Sequence, residues 1–150
     1  MNYLLDTDAV VFLYDNQRQP QHQQITQRLS ELAETDRVYG SVLILYELEY
    51  SFANCSDPTT QTAIRQTIKF LHEDLDGLLT IQEQGAPLYG NLKAQLKQTA
   101  KLSRKVLQRH NIDLMLASTA IAESCVLVSG DQIHARLQPL HPTFRWECWW

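Results

Sequence analysis

Acidic side chains at the ends of apolar runs are the residues of this chain best suited to chemistry. Asp6 and Asp8 follow Tyr3-Leu4-Leu5 directly. Asp131 follows Val126-Leu127-Val128-Ser129-Gly130. Asp113 opens Asp113-Leu114-Met115-Leu116-Ala117. A fourth acid, Glu47 or Glu49, lies inside Val42-Leu43-Ile44-Leu45-Tyr46-Glu47-Leu48-Glu49-Tyr50, where every other residue is apolar or aromatic. Periodicity does not choose between those two. Glu47 has Leu43 and Tyr50 at helical spacing, and Glu49 has Leu45 and Phe52. Each acid has a plain structural job open to it. Asp6 or Asp8 can cap a helix starting near Ala9. Asp113 suits the positive end of a helix dipole, and Asp131 suits a turn. As a set they point further. Converging carboxylates repel one another, and a cation makes such a cluster tolerable. Oxygen ligands without a Cys or His pair suit Mg2+ or Mn2+ better than Zn2+. An ion so held favours phosphate oxygens and in-line displacement at phosphorus.

The elements around these acids are expected to bring them together. Tyr3-Leu4-Leu5 reads as a buried strand of a parallel sheet, with further strands at residues 37–40, 78–81, 125–129 and 143–148. Helical patterns fall at residues 9–14, 23–33, 42–53, 59–72, 87–108, 113–124 and 132–137. Ser41 stands where it caps the third of these helices. That helix is so apolar that it is expected to be largely buried. Strands alternating with helices imply parallel crossovers, hence a three-layer α/β/α domain with a central, mainly parallel sheet. Ligands bind beyond the carboxyl ends of strands in such sheets. Asp6 and Asp131 both fall there.

The chain of 150 residues is the size of one domain, 1–150, able to bury a real core. Its 44% hydrophobic and 20% charged residues are ordinary for a soluble protein. No apolar run approaches the ~20 residues that span a bilayer, and the N-terminus does not read as a secretory signal. Cys55, Cys125 and Cys148 are odd in number and far apart, which argues for a reducing cytoplasm over a disulfide framework. The net charge of −4 hides an asymmetry. Between Glu83 and Asp113 there is no acid, while Lys93, Lys97, Lys101, Arg104, Lys105 and Arg109 fall in that interval. On the expected helix 87–108 the lysines four apart form one basic ridge, a footprint of a polyanion partner or a solvated face.

The chain resembles the PIN-domain nucleases, specifically the VapC-type toxins of bacterial toxin–antitoxin pairs. The resemblance lies in Leu4-Leu5-Asp6-Thr7-Asp8, in Ser41-Val42 leading to Tyr46-Glu47-Leu48-Glu49-Tyr50, in Asp113-Leu114-Met115-Leu116-Ala117 and in Val126-Leu127-Val128-Ser129-Gly130-Asp131. The terminal Trp residues also match the family's usual ending. The resemblance selects Glu47 over Glu49. It implies that Asp6, Glu47, Asp113 and Asp131 bind the metal and carry catalysis, with Thr7 and Ser129 as hydroxyl supports. It further implies a Mg2+- or Mn2+-dependent endoribonuclease that cleaves RNA by metal-activated water. A cognate antitoxin and a homodimer are implied too, with Leu48, Phe52, Trp149 and Trp150 as interface candidates. There are departures. Arg109-His110-Asn111-Ile112 stands where many relatives have a Gly–Pro-containing approach to the third acid. His134 takes the place of an aromatic residue, and Ser51 the place of a Gly.

Two rivals fit part of the pattern. Asp6-Thr7-Asp8-Ala9-Val10 resembles the opening of haloacid-dehalogenase-like phosphatases, with Asp6 as nucleophile and Asp8 as general acid. However, Gln132-Ile133-His134-Ala135 lacks that family's later acid. A catalytically inactive PIN-like RNA-binding module is the second rival, against which the intact acids argue. If Lys97, Lys101 and Lys105 meet an RNA backbone, Lys97→Ala with Lys101→Ala should weaken binding similarly across sequences. It should also flatten the dependence of affinity on salt, since phosphate contacts position a strand without reading it. An unchanged slope in a binding-versus-salt plot would show that these lysines face elsewhere.

Overall fold

Two short apolar runs, Tyr3-Leu4-Leu5 and Val126-Leu127-Val128, become neighbouring strands at the middle of one sheet. The structure, a computed structural model, describes residues 1–15 and 17–150. Strand β1 (Asn2–Leu5) pairs in parallel with β2 (Arg37–Ser41) on one side. On its other side it pairs with a strand formed by Val126–Val128. With β3 (Leu78–Leu79), that strand numbered β4, and β5 (Arg145–Glu147), the sheet has the order β3-β2-β1-β4-β5, parallel throughout. Parallel neighbours need crossovers, and helices supply them.

Alternation along β1 and β4 divides the core into two layers. Leu4 and Leu127 face one side, where α5 (Gly85–Thr99) and α7 (Asn111–Ala122) contribute Leu92, Leu96, Leu114, Ala117 and Ala120. Helix α8 (Ile133–Leu137) adds Ile133 and Leu137 to that layer. Tyr3, Leu5, Val126 and Val128 face the other side. There α1 (Thr7–Tyr14), α2 (Gln21–Ser30) and α4 (Pro58–Glu73) supply Val10, Ile25 and Leu71. Helix α3 (Val42–Asn54) adds Ile44 and Leu48. Both faces of β1 are therefore dry, which is why its sequence is a run and not an alternation. This is the three-layer arrangement expected, and none of the described helices is long and apolar enough to cross a membrane.

The differences from expectation are local. Helix α2 covers residues 21–30 instead of 23–33, and only Leu78 and Leu79 of 78–81 pair as a strand, with Ile81 exposed. Helix α3 is not largely buried. Leu43, Ile44 and Leu48 are inside, but Tyr46 and Tyr50 are 75% and 70% exposed. The long helix expected over 87–108 is broken. Helix α5 closes at Ala100, Lys101 takes a left-handed conformation at φ 49°, and Ser103 caps α6 (Arg104–Arg109) by accepting from the Val106 N–H. Lys97, Lys101 and Lys105 therefore lie on α5, at the break and on α6, not along one helical ridge. Lys93 is engaged elsewhere, donating to Tyr89 Oη and Asn111 Oδ1 at 2.7 Å each. Leu48 and Trp149 belong to the chain's own core, Trp150 packs on Phe12, and Phe52 lies under Arg65. Leu48 and Trp149 are thus core side chains, while Phe52 and Trp150 stay partly exposed.

Helix α7, which carries Asp113, ends in a Schellman motif. The Cys125 N–H donates to the Ala120 carbonyl at 2.8 Å and the Ser124 N–H to that of Ile121 at 3.2 Å. The motif requires a left-handed residue, and Ser124 fills the position at φ 55°. A Cβ in that conformation is strained, and glycine is not. Ser124→Gly is expected to raise stability by roughly 0.5–1 kcal/mol, or on the order of 1–4 °C in melting temperature. A thermal melt in which the variant unfolds lower than the parent would contradict this.

Candidate metal centre

The ends of β1 and β4 are held side by side, Leu5 in register with Val128. The Asp6 N–H continues the ladder by donating to the Val128 carbonyl at 3.0 Å. Asp6 then turns into α1 as its cap, its Oδ1 accepting from the Ala9 N–H at 2.7 Å. On the neighbouring strand Ser129 is fully buried, and its Oγ accepts from the Asp131 N–H at 3.1 Å. Asp131 Oδ1 accepts in turn from the Ile133 N–H at 2.9 Å, opening α8. Gly130 is required between them, because a Cβ there would stand 2.7 Å from the Trp150 ring.

The other two acids arrive on helices. Ser41 ends β2 and caps α3, accepting from the Leu43 N–H at 3.2 Å. The helix then presents Glu47 to the end of β1, where Glu47 Oε2 accepts a hydrogen bond from the Thr7 hydroxyl. Glu49 points away and pairs with Arg65 at 2.6 Å. The choice left open by periodicity therefore falls on Glu47. Asp113 comes in the first turn of α7, which approaches the sheet closely because Ala117 and Ala120 are small and fully buried.

These elements enclose a cleft of about 210 Å³ lined by Asp6, Thr7, Asp8, Glu47, Asp113 and Asp131. Ile112 and Leu116 form its apolar wall. Ser129 supports it from behind through Asp131 and Asp6. Sequence reasoning named every one of these acids but assigned Asp8 only to capping or to a rival chemistry. It missed His110 as a participant. His110 Nδ1 lies 3.0 Å from Asp113 Oδ2, and one donor atom each from His110, Asp113 and Asp131 falls within 4.8 Å of the others. The signal was present as the unusual His in the approach to the third acid. His134 replaces an expected aromatic and behaves as one, buried beside Phe144 and Trp146. Burial pushes its imidazole down to about 4, so it is neutral.

The cleft is short of positive charge. Burial raises Asp6 to about 7, against the opposing hydrogen bonds from Ser129 and Ala9, and the charges of Asp8 and Asp113 add to the rise. Burial also raises Asp113, offset by the hydrogen bond to His110 and reinforced by Asp131 and Asp8. Among the described residues no Lys or Arg lines the cleft. Carboxylate oxygens and a hydroxyl, with no thiol among them, make a lining that fits Mg2+ or Mn2+, and the His110 imidazole stands beside it against Asp113 and Asp131, in a group that does not include Asp6 or Glu47.

Comparison with known proteins agrees with this geometry. The chain is similar in fold to VapBC2 from Rickettsia felis, whose structure was solved bound to a DNA fragment from the promoter. The TM-score is 0.76 at 23% identity, over 99% of each chain. It is also similar to VapBC-1 from nontypeable Haemophilus influenzae, with a TM-score of 0.73 at 23% identity over 99% of this chain and 98% of that one. DNA-bound VapBC from Salmonella typhimurium gives 0.67 at 22% identity over 100% and 99%. At such identities the likeness is one of fold. No curated protein matches the chain. The sequence profile of the PIN domain matches residues 3–138, which takes in all four acids and displaces the phosphatase alternative. A parallel sheet with acids gathered at its carboxyl edge, and a profile running from β1 to the end of α8, together make this chain a member of the PIN domain family.

Proposed function

We propose that the protein, as a single domain over 1–150, is a Mg2+- or Mn2+-dependent endoribonuclease and the toxin of a toxin–antitoxin pair, acting in the cytoplasm. The observation that carries this reading is the convergence of Asp6, Glu47, Asp113 and Asp131 on one small cleft. Family membership and the VapBC complexes among its structural neighbours support it. The four carboxylates are the ion's holders in this reading. The Thr7 hydroxyl fixes Glu47, and the buried Ser129 sets both Asp6 and Asp131. A bound divalent ion supplies an activated water and neutralises charge that develops on the scissile phosphate. The chain supplies the rest. Burial removes part of the water from Asp6 and Asp113, and Ile112 and Leu116 give the cleft an apolar wall. An acidic cleft repels a polyanion, so RNA must be drawn in from outside. Lys97, Lys101 and Lys105 are proposed to do so from the α5–α6 region. Single-stranded or looped RNA is the expected substrate, since unstacked strands bend into a cleft.

An antitoxin partner follows from the same neighbours, and a homodimer is proposed with it. Exposed Tyr46 and Tyr50 on α3 are the apolar surface available for such contacts.

Asp6→Asn, Glu47→Gln or Asp113→Asn is expected to reduce cleavage of single-stranded RNA at least ~100-fold. Cleavage by the purified parent that survives EDTA would defeat the reading. RNA binding without any cleavage in Mn2+ would favour the inactive alternative.

The acids also predict a signature in stability without metal. The folded Asp6 carboxyl holds its proton up to about pH 7, against 3.8 for the ordinary group. Below the ordinary value it is neutral in both states and costs nothing. As the pH rises toward 7 the unfolded chain ionises first, and the penalty grows until it is complete above that point. Asparagine keeps the cap on Ala9 and cannot ionise. In EDTA above pH 7, Asp6→Asn should therefore stabilise the protein by roughly 2 kcal/mol, a value discounted for the water still reaching the cleft. The gain should fade on acidification, and Mn2+ should raise the parent's melting temperature by mass action. A variant that melts below the parent in EDTA, with Mn2+ moving neither, would mean that the acids do not repel.

A further inference from the structure

We propose that His110 is a direct imidazole ligand of the divalent ion held in this cleft, and that it tilts the preference of the site from Mg2+ toward Mn2+. The inference rests on the reading that the acids hold an ion, and it goes beyond that reading by adding a nitrogen to an oxygen site.

The backbone fixes where the ring stands. His110 both closes α6 and opens α7, with φ −95° and ψ 17°. Its N–H donates to the Leu107 carbonyl at 3.2 Å, and its own carbonyl accepts from the Leu114 N–H at 2.9 Å. The two helices thus meet at one residue, and the turn between them throws the imidazole toward the first turn of α7. That turn is braced from outside. Asn111 Oδ1 accepts from Lys93 Nζ at 2.7 Å and from Tyr89 Oη at 3.1 Å, tying it to α5. The ring stays only 25% exposed, and Asp113 only 24%.

The distances suit an ion. Nδ1 of His110 and Oδ2 of Asp113 are 3.0 Å apart. Adjacent ligands at right angles, each about 2.1 Å from a cation, stand about 3.0 Å from one another. The Asp131 carboxylate completes a triangle within 4.8 Å. A proton on Nδ1 holds the same pair together when no cation is between them. Shared coordination replaces that hydrogen bond: Nδ1 gives up its proton, and the ring turns by some tens of degrees so that its lone pair faces the ion instead of Oδ2, with the 3.0 Å spacing kept.

The chemistry of the donor sets the consequence. Mg2+ is hard and holds almost wholly to oxygen, whereas Mn2+, also mainly an oxygen ion but the first of the divalent transition series, gains more from an imidazole nitrogen. A carboxylate-only site does not separate Mn2+ from Mg2+ strongly. One nitrogen ligand does.

The rival role for His110 is that of a positioning residue which donates to Asp113 and never touches the ion. Pulsed EPR on the full chain loaded with Mn2+ separates the two. The parent should show nitrogen coupling from a directly bound imidazole, changed in pattern when the protein carries ¹⁵N-labelled histidine. His110→Gln and His110→Asn should lose that coupling while still binding Mn2+. By calorimetry, those variants should bind Mn2+ at least about tenfold more weakly, with Mg2+ affinity altered less than about threefold. A parent that binds Mn2+ without nitrogen coupling, or variants that retain it, overturns the proposal and leaves the acid site standing. A parent that binds neither ion overturns both.

Discussion

Carboxylates crowded at the end of a dry sheet repel one another where Asp6 and Asp113 are only partly reached by water, and the surrounding structure is arranged to make that tolerable. Each acid has a donor assigned to it. Asp6 takes the Ala9 N–H, Asp131 the Ile133 N–H, Glu47 the Thr7 hydroxyl and Asp113 the His110 ring. Asp6 and Asp113 stand at the positive ends of α1 and α7, where the dipole favours them. An ionised carboxylate has about four lone-pair sites, so one donor each, or two for Asp6, leaves half or more of its capacity unspent. The same devices that let the cluster fold thus leave it able to take a cation.

Much of this was legible in the residues because it depends on element ends. An acid straight after a buried run has one place to go in a parallel sheet, and Asp6 and Asp131 both went there. Small residues behind Asp113 marked a helix that comes close to the sheet. The selection of Glu47 over Glu49 was not legible from periodicity, since both acids have apolar neighbours at helical spacing. It was decided by what each face meets: Thr7 on one side, Arg65 on the other. The exposure of Tyr46 and Tyr50 was hidden for the same reason. A stretch that is apolar all round does not declare which third of it lacks a neighbour.

The break between α5 and α6 was also hidden, and its cause is instructive. Residues 91–108 contain no Gly or Pro and are mostly Leu, Lys, Gln, Ala and Arg, so propensity alone continues the helix. The chain turns because Ser103 offers a cap to Val106, and because α6 and α7 must turn again at His110 to bring Asp113 inward. The single basic ridge expected along one helix is therefore divided between α5, the break and α6. His110 was overlooked for a related reason. A lone histidine ahead of an acid looks like a loop feature until the turn between two helices shows where its ring is sent.

The pairing of β1 with β4 has a consequence for how the site comes into being. Leu5 meets Val128, so the strands that carry Asp6 and Asp131 are drawn from opposite parts of the sequence. Closing so long a loop costs entropy before any contact returns it, which makes this one of the slow events of folding. No short fragment holds even two of the four acids at working distance: α3 and α7 must also be docked for Glu47 and Asp113 to arrive. A nascent or nicked chain that keeps its helices but loses the central pairing therefore keeps none of the cleft. The cleft is thus a product of the whole fold, and it forms late and all at once.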